Sequence, residues 1–245
     1  MPAARFYYPP PIPPGNTLEL PPDAAHHANR VLRLRVNDPV QVFDGAGNAL
    51  DAAISEISGK RVVLDKLKPC AAEPQPLLHI VLAQAMCGSD KMDWVVQKAT
   101  ELGAMEIQPV QTQRSVARLS SERAEKRTGH WRSVIVAACE QSGRNTLPQA
   151  HAPQELSTWL AQMRDSPEVK FILHPEGAAT LPQQPRPQGK VTLLIGPEGG
   201  FSADEILMAQ QAGFVPVLLG THVLRTETAA LAGITALQTL WGDFC

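Results

Sequence analysis

Short apolar runs alternate with amphipathic stretches along the chain after residue 76. The runs have the length of buried strands, and they occupy residues 77–83, 105–110, 169–173, 191–195 and 215–219. Strands that alternate with helices in this way are typical of a mostly parallel sheet covered by helices on both faces. The pattern therefore predicts an α/β fold for this part of the protein.

Several of the intervening stretches carry specific helix signals. Gly103 follows an apolar stripe of helical spacing, at the position where a helix C-terminus favours glycine. Ser202 and Glu205 have the spacing of a capping box, which marks a helix N-terminus. The predicted helices cover residues 92–102, 131–138, 202–213 and 226–241.

The front of the chain follows a different pattern. Strand-like segments at 40–43, 49–57 and 61–64 are separated by turn-forming residues, which predicts a small β-barrel-like domain. Residues 69–76 contain three prolines and predict a stiff connector. We therefore predict two domains, residues 1–70 and residues 77–245.

Composition narrows the functional classes. The chain has 245 residues, a formal net charge of −2 and 44% hydrophobic residues, so any nucleic-acid binding must come from a local basic patch. The cysteines (Cys70, Cys87, Cys139 and Cys245) are widely separated, which fits free thiols in a reducing compartment and no metal site. Apolar runs fall short of the roughly 18 residues of a membrane span, and the proline-rich start does not resemble a signal peptide. We expect a soluble, cytoplasmic protein without metal or membrane partners.

Two glycine-bearing segments suggest a ligand site. Residues 195–201 read Ile-Gly-Pro-Glu-Gly-Gly-Phe, and residues 218–228 form a second segment that contains Gly220. Each follows a predicted strand, and loops at the carboxyl ends of parallel strands bind ligands in α/β proteins. Neither segment has the glycine pattern of a dinucleotide or triphosphate site. The predicted ligand therefore belongs to another chemical class.

These segments resemble a known family. Residues 194–202 together with 224–230 are similar to the SPOUT superfamily of RNA methyltransferases, and within it to the RsmE-type family of 16S ribosomal RNA uridine-N3 methyltransferases. The similarity extends through residues 97–103 and 140–145, and through His27, 31–33 and 43–47 in the front domain. One departure is Thr221-His222, where the family has a proline or lysine followed by an arginine, so no contact is carried over to that position.

The resemblance implies a fold and a cofactor. It implies a deep trefoil knot in the second domain, a PUA-like RNA-binding front domain and a homodimer. The cofactor would be S-adenosylmethionine, and the target a uridine N3 in the decoding region of 16S rRNA in the small ribosomal subunit. The cofactor-binding residues implied by the resemblance are Leu173, His174, Pro175, Glu176, Ile195, Gly196, Pro197, Gly199, Gly200, Leu218, Leu219, Gly220, Val223, Leu224, Thr226 and Thr228.

Candidate catalytic residues follow from the chemistry of uridine. Its imide nitrogen must lose a proton, so the site needs a base or a positive charge that stabilises the anion. Glu198 and Arg225 lie in the two glycine-bearing segments and are the first candidates; Glu140 and Arg144 are the second. Alternatively, Glu198 and Arg225 form a salt bridge that only fixes the loop shape.

Basic residues offer candidate RNA contacts. The candidates are Arg5, His27, Arg30, Arg33, Arg114 and Arg118, and the densest basic block covers residues 113–132. Such residues also occur as solvated surface charges. Two other functions stay open: a SPOUT methyltransferase of another RNA or atom, and a non-catalytic RNA-binding protein. A Rossmann-type oxidoreductase is a distant third, because the dinucleotide pattern is missing.

Overall fold

The chain forms two compact units. The computed structural model describes residues 3–115, 121–176 and 179–244. The first unit combines Met1–Gln75 with Val136–Leu147, and the second combines Pro76–Ile135 with Pro148–Cys245. The predicted division into residues 1–70 and 77–245 placed 136–147 in the second domain, whereas the structure groups this segment with the first unit.

The first unit is built on a five-stranded sheet in the order β1-β3-β4-β5-β2. Strand β1 pairs with β3 in parallel, and the other neighbours are antiparallel. A short helix α1 (Pro22–His26) continues into a π-helical turn (His27–Val31). The strands are β1 (Ala4–Tyr7), β2 (Leu18–Glu19), β3 (Pro39–Phe43), β4 (Ala49–Ser58) and β5 (Arg61–Pro69).

Polar contacts explain why residues 136–147 belong to this unit. The Arg5 guanidinium donates to the carbonyl oxygen of Arg144 at 2.9 Å and to Asn145 Oδ1 at 2.6 Å. The Tyr7 backbone N–H donates to Glu140 Oε1 at 3.1 Å. Strand β1 is therefore held by the end of a helix that is more than a hundred residues away in the sequence.

The second unit is built on an eight-stranded sheet whose recorded pairings are all parallel. The order is β11-β13-β10-β12-β6-β7-β8, and β9 also pairs with β7. The strands are β6 (Leu78–Ala85), β7 (Glu106–Gln111), β8 (Gln149–Ala150), β9 (Gln154–Glu155), β10 (Val169–Leu173), β11 (Ala179–Thr180), β12 (Gly189–Ile195) and β13 (Val215–Leu218).

Helices pack on both faces of this sheet. Leu194 of β12 lies in an apolar cluster with Leu160 and Ala209, which come from two different helices. Its neighbour Leu193 packs at Gly233 of the last helix. Successive strand residues point to opposite faces, so these helices cover opposite sides. The helices are α2 (Ser89–Glu101), α3 (Ser121–Ser142), α4 (Leu156–Met163), α5 (Ala203–Gln211) and α6 (Thr226–Trp241), with a 3₁₀ turn at Leu181–Gln183.

The predicted α/β class is confirmed. The Ser202–Glu205 capping box is present, and Gly103 follows α2 with a positive φ of 92°. No helix within the described ranges is both long and apolar enough to cross a membrane. Strand order alone does not define how a chain threads, so the trefoil knot stays a prediction.

Candidate functional site

A cavity of about 680 Å³ opens at the carboxyl edge of the second sheet. It lies at the ends of β13, β10 and β12, which are neighbours in the sheet. Three loops form its walls: residues 173–175, 195–201 and 218–226. Among parallel strands, this edge is where ligands bind. The lining residues are Lys91, Leu173, His174, Pro175, Ile195, Gly196, Pro197, Glu198, Gly199, Gly200, Phe201, Leu218, Leu219, His222, Val223, Leu224, Arg225, Thr226 and Ala229.

Most of the predicted cofactor residues line this cavity. Glu176, Gly220 and Thr228 are in the same loops or the following helix but do not line it. Conversely, the predicted set lacks Lys91 and Ala229, which come from helices α2 and α6. The set also lacks Phe201 and His222, which lie within the predicted loops.

A buried chain of hydrogen bonds joins two of the loops. The Thr226 hydroxyl donates to the carbonyl oxygen of Gly196 at 2.6 Å and accepts from Gln84 Nε2 at 2.8 Å. Gln84 is fully buried in β6, and its Oε1 has no hydrogen-bond partner in the described structure. Gly196 packs against the Phe201 ring, which would lie 3.0 Å from a Cβ at this position. Buried hydrogen bonds therefore hold loop 195–201 and loop 218–226 together.

A second support reaches the same loop from β7. Glu205 is almost fully buried, and its carboxylate accepts hydrogen bonds from the backbone N–H groups of Gln113 at 2.7 Å and Ser202 at 2.9 Å. The adjacent Arg114 donates from Nη1 to the carbonyl oxygen of Gly199 at 2.9 Å. Arg114, a candidate RNA contact, thus holds the rim of the cavity.

The Glu198 carboxylate is paired with a lysine. Lys91 Nζ lies 3.0 Å from Glu198 Oε1 and 3.7 Å from Glu227 Oε2. Burial alone would raise the pKa of Glu198, but hydrogen bonds from backbone N–H groups and from Lys91 outweigh it and lower that pKa. In the described part of the chain, Glu198 pairs with Lys91 and forms no salt bridge with Arg225. The proposed loop-fixing pair of Glu198 and Arg225 is therefore wrong.

Arg225 has a different environment. It is exposed at the N-terminal cap of α6 and lines the cavity. Its guanidinium has no hydrogen-bond or ion-pair partner among the described residues. The N–H groups of this positively charged side chain are therefore available to a ligand at the rim of the cavity.

Cys87 lies close to these charged groups but is not a nucleophile. Its side chain is buried, and burial, with the nearby Glu198 and Glu227 carboxylates, raises the pKa of the thiol to about 12. A thiol with this pKa is neutral at physiological pH, and the thiolate is the reactive form.

Within residues 3–115, 121–176 and 179–244, no group of three His, Cys, Asp or Glu side chains could hold a metal ion.

The second pair of catalytic candidates, Glu140 and Arg144, does not line the cavity. Both belong to the first unit. Burial raises the pKa of Glu140, and its Oε2 lies 3.9 Å from His27 Nδ1. Burial also lowers the pKa of the Arg144 guanidinium.

The remaining candidate RNA contacts differ in their exposure and in whether other residues of the protein already bind them. Arg5 is occupied by hydrogen bonds within its own unit and lies over the Phe43 ring, with 4.9 Å between the guanidinium carbon and the ring centroid. Arg30 is exposed within the π-helical turn, Arg33 is exposed just after it, and His27 is half-buried at its start. Arg118 lies outside the described residues.

Comparison with known proteins identifies the class. Residues 73–238 match the family model of RNA methyltransferase domains, and residues 20–67 match that of RNA methyltransferase PUA domains. A ribosomal RNA small subunit methyltransferase E from Buchnera aphidicola subsp. Schizaphis graminum (strain Sg) is 33% identical, over 89% of this chain and 88% of its own length. The chain belongs to this ribosomal RNA small subunit methyltransferase E family.

Solved structures agree with this assignment. A methyltransferase from Legionella pneumophila in complex with S-adenosylmethionine is 36% identical, with a TM-score of 0.93 over 100% of both chains. A ribosomal RNA small subunit methyltransferase E from Neisseria gonorrhoeae, bound to S-adenosylmethionine, is 38% identical, with a TM-score of 0.91 over 99% of this chain and 100% of that one.

Proposed function

We propose that this protein is an S-adenosylmethionine-dependent methyltransferase that modifies N3 of a uridine in the decoding region of 16S rRNA. The observation that carries the proposal is the three-loop cavity at the carboxyl edge of the sheet, in a chain of the small subunit methyltransferase E family. The uridine and its N3 atom come from the sequence resemblance and form the finer part of the proposal.

The cavity has the properties that this cofactor requires. Its volume of about 680 Å³ lies within the range of roughly 300–1,000 Å³ typical of small-molecule sites. Leu173, Leu218 and Leu224 supply apolar walls, and the glycines of loop 196–200 let a ligand approach the backbone closely. When bound, S-adenosylmethionine supplies a methyl group that its sulfonium already activates.

The residues of this chain then have to position the target and stabilise its charge. We assign the charge-stabilising role to Arg225, whose unpaired guanidinium lies at the cavity rim. A preorganised positive charge favours the imide anion of uridine and so assists loss of the N3 proton. Glu198 is charged and has a lowered pKa, which makes it a weak base. We therefore assign it to the binding of the positively charged cofactor.

The first unit provides the proposed RNA-binding surface. The PUA-like RNA-binding domain would comprise residues 1–70 together with 136–147, and the rest of residues 77–245 would form the methyltransferase domain. Arg30 and Arg33 are exposed and so are available to phosphates. Contacts of this kind add affinity but carry no base specificity. Arg5, His27 and Arg114 hold their surroundings in place and contribute to RNA binding only indirectly.

We also propose a cytoplasmic homodimer. A groove of about 560 Å³ runs along α6 and is lined by small and apolar residues. Leu240 is 39% exposed at this groove. A second copy of the chain would cover this apolar surface.

A paired experiment tests the proposal. S-adenosylmethionine is titrated calorimetrically into the protein, which is then incubated with 30S subunits that lack the modification. Mass spectrometry of the nucleosides is expected to detect N3-methyluridine in 16S rRNA. Absence of cofactor binding would refute the enzyme assignment, and methylation at another atom or RNA would refute the assigned target.

A further inference from the structure

Lys91 reaches the cavity from outside the three loops. It is in the first turn of α2, the helix that follows β6. Its ammonium group lies 3.0 Å from Glu198 of loop 195–201 and 3.7 Å from Glu227, which follows loop 218–226 in the first turn of α6. One cation therefore contacts carboxylates from two different walls.

The two carboxylates depend on this cation. The Glu227 side chain is only 15% exposed, and its Oε2 is buried without a hydrogen bond in the described structure. A buried, unpaired charge is costly, and two carboxylates that share a site repel each other. Lys91 offsets both costs because its ammonium group lies within 3.7 Å of both carboxylates.

We propose that Lys91 is a positioning residue that clamps loop 195–201 to the start of α6 and so keeps the cofactor cavity closed at its rim. This inference rests on the proposed function, since the ligand that the clamp retains is S-adenosylmethionine. Lys91 takes no part in proton or methyl transfer.

The clamp complements the buried link between the same two walls. Thr226 holds Gly196 through a hydrogen bond inside the protein. Lys91 holds Glu198 at the partly exposed rim, where its side chain is 37% exposed. Without the ionic link, the inner ends of the loops stay together while the rim opens.

The test compares three variants, Lys91→Met, Lys91→Arg and Lys98→Met. Lys98 is a matched control, because it is on the same helix, its side chain is 34% exposed and, among the described residues, its ammonium group pairs only with Glu101. Hydrogen–deuterium exchange of residues 196–201 and 225–229 is measured without ligand, and the cofactor Kd is measured by calorimetry.

We expect Lys91→Met to speed amide exchange in both segments roughly tenfold, since loops open locally when few contacts hold them. The Kd and the KM for S-adenosylmethionine should each rise roughly tenfold, with kcat at saturation within about twofold of wild type. Lys91→Arg should restore most of the binding, because guanidinium also pairs with carboxylates. Lys98→Met should match wild type in every measurement.

Two results would overturn the clamp. One is exchange in Lys91→Met that equals that of Lys98→Met. The other is a lowered Tm with an unchanged Kd, which would indicate a purely structural role. If the wild-type protein binds no S-adenosylmethionine, the proposed function fails, and the ligand-free exchange still decides the clamp.

Discussion

Glu198 shows how a single ion pair changes the role of a carboxylate. A general base for the imide of uridine needs a pKa near the working pH. Hydrogen bonds from backbone N–H groups and from Lys91 move the pKa of Glu198 in the opposite direction, against the effect of burial. This group therefore carries a stable negative charge at the rim.

We expect Glu198→Gln to weaken cofactor binding severalfold and to lower kcat by less than about tenfold. A lost general base costs about 10²–10⁴-fold, so steady-state kinetics separate the two roles. The pH–rate profile should keep its acidic limb. A kcat drop of a hundredfold or more, together with loss of that limb, would make Glu198 the base.

Arg225 has no alternative partner to occupy it in the described chain. We expect Arg225→Ala to lower kcat by about 10²–10³-fold, the range for loss of one charge-stabilising donor. Calorimetry should give a cofactor Kd within a few fold of wild type. Arg225→Lys serves as the control and should recover part of the rate; full activity of Arg225→Ala would remove this residue from the mechanism.

Thr226 is buried, and its hydroxyl links loop 218–226 to loop 195–201. Thr226→Val leaves the Gly196 carbonyl without this donor and removes one of the two acceptors of Gln84 Nε2, which keeps its bond to the Ala85 carbonyl. We expect a loss of about 1–3 kcal/mol in the free energy of unfolding, measured by urea denaturation. Thr226→Ser keeps the hydroxyl and should lose less than half as much. A loss in Thr226→Val no larger than that in Thr226→Ser would contradict the stabilising role of the hydroxyl, because valine keeps the methyl group and serine keeps the hydroxyl.

At the scale of elements, the sequence pattern predicted the long helices and strands better than the short ones. Helices α2 and α6 and strands β6, β10 and β12 bury long regular stripes, which periodicity detects. Strands β8, β9 and β11 have two residues each, too few to form a pattern. Lys91 was missed as a cavity residue because it follows β6, and nothing in the sequence indicates that β6 lies beside β12.

Helix α6 packs closely on the sheet because it has a glycine at the contact. A Cβ at Gly233 would lie 2.6 Å from Leu193 Cδ2. We expect Gly233→Ala to lower the free energy of unfolding by about 1–3 kcal/mol through overpacking, as measured by thermal or urea unfolding.

Gly129→Ala provides the matched control for that change. Gly129 lies within α3, and a Cβ there would meet no atom within 4 Å. This substitution should stabilise the protein by roughly 0.5–1 kcal/mol, since alanine favours helix over glycine. A stabilising Gly233→Ala would show that the α6 contact adapts easily.

At the scale of the whole molecule, one carboxylate joins several strands at the sheet edge opposite the cavity. Glu106 accepts from His151 Nε2 at 2.8 Å, His79 Nε2 at 2.7 Å and Lys190 Nζ at 2.9 Å. The hydrogen bond from His151 is the largest cause that lowers the pKa of Glu106; burial opposes it, and Lys190 and His79 add to the lowering.

The sign of this shift predicts acid sensitivity. Because the folded state lowers the pKa of Glu106, its stabilising effect is present above the ordinary value of 4.5 and is lost as the pH falls further. We expect Glu106→Gln to cost about 1–2 kcal/mol at pH 7, since partial exposure screens the pairs. The difference from wild type should shrink below pH 4 in urea unfolding. The exposed Glu122→Gln should show no such effect; a pH-independent difference would contradict the prediction.

The homodimer is tested at the groove along α6. Leu240→Glu places a charge on an exposed apolar position of the proposed interface, and light scattering should detect a monomer in place of the proposed wild-type dimer. Leu207→Glu is the control, because Leu207 is 53% exposed on α5 outside this groove. A dimeric Leu240→Glu protein would exclude this groove as the interface.

Because residues 136–147 belong to the first unit, this unit can finish folding only late in synthesis. Domains generally fold as they leave the ribosome, with the N-terminal one first. Here β1 finds Glu140, Arg144 and Asn145 only after the chain has grown past most of α3. The sheet of the first unit therefore leaves the ribosome before residues 136–147, which complete this unit. A fragment that ends at residue 75 would expose the Arg5 guanidinium and leave the Tyr7 amide without its acceptor, so we expect the first unit to lose stability when it is excised at the proline-rich connector.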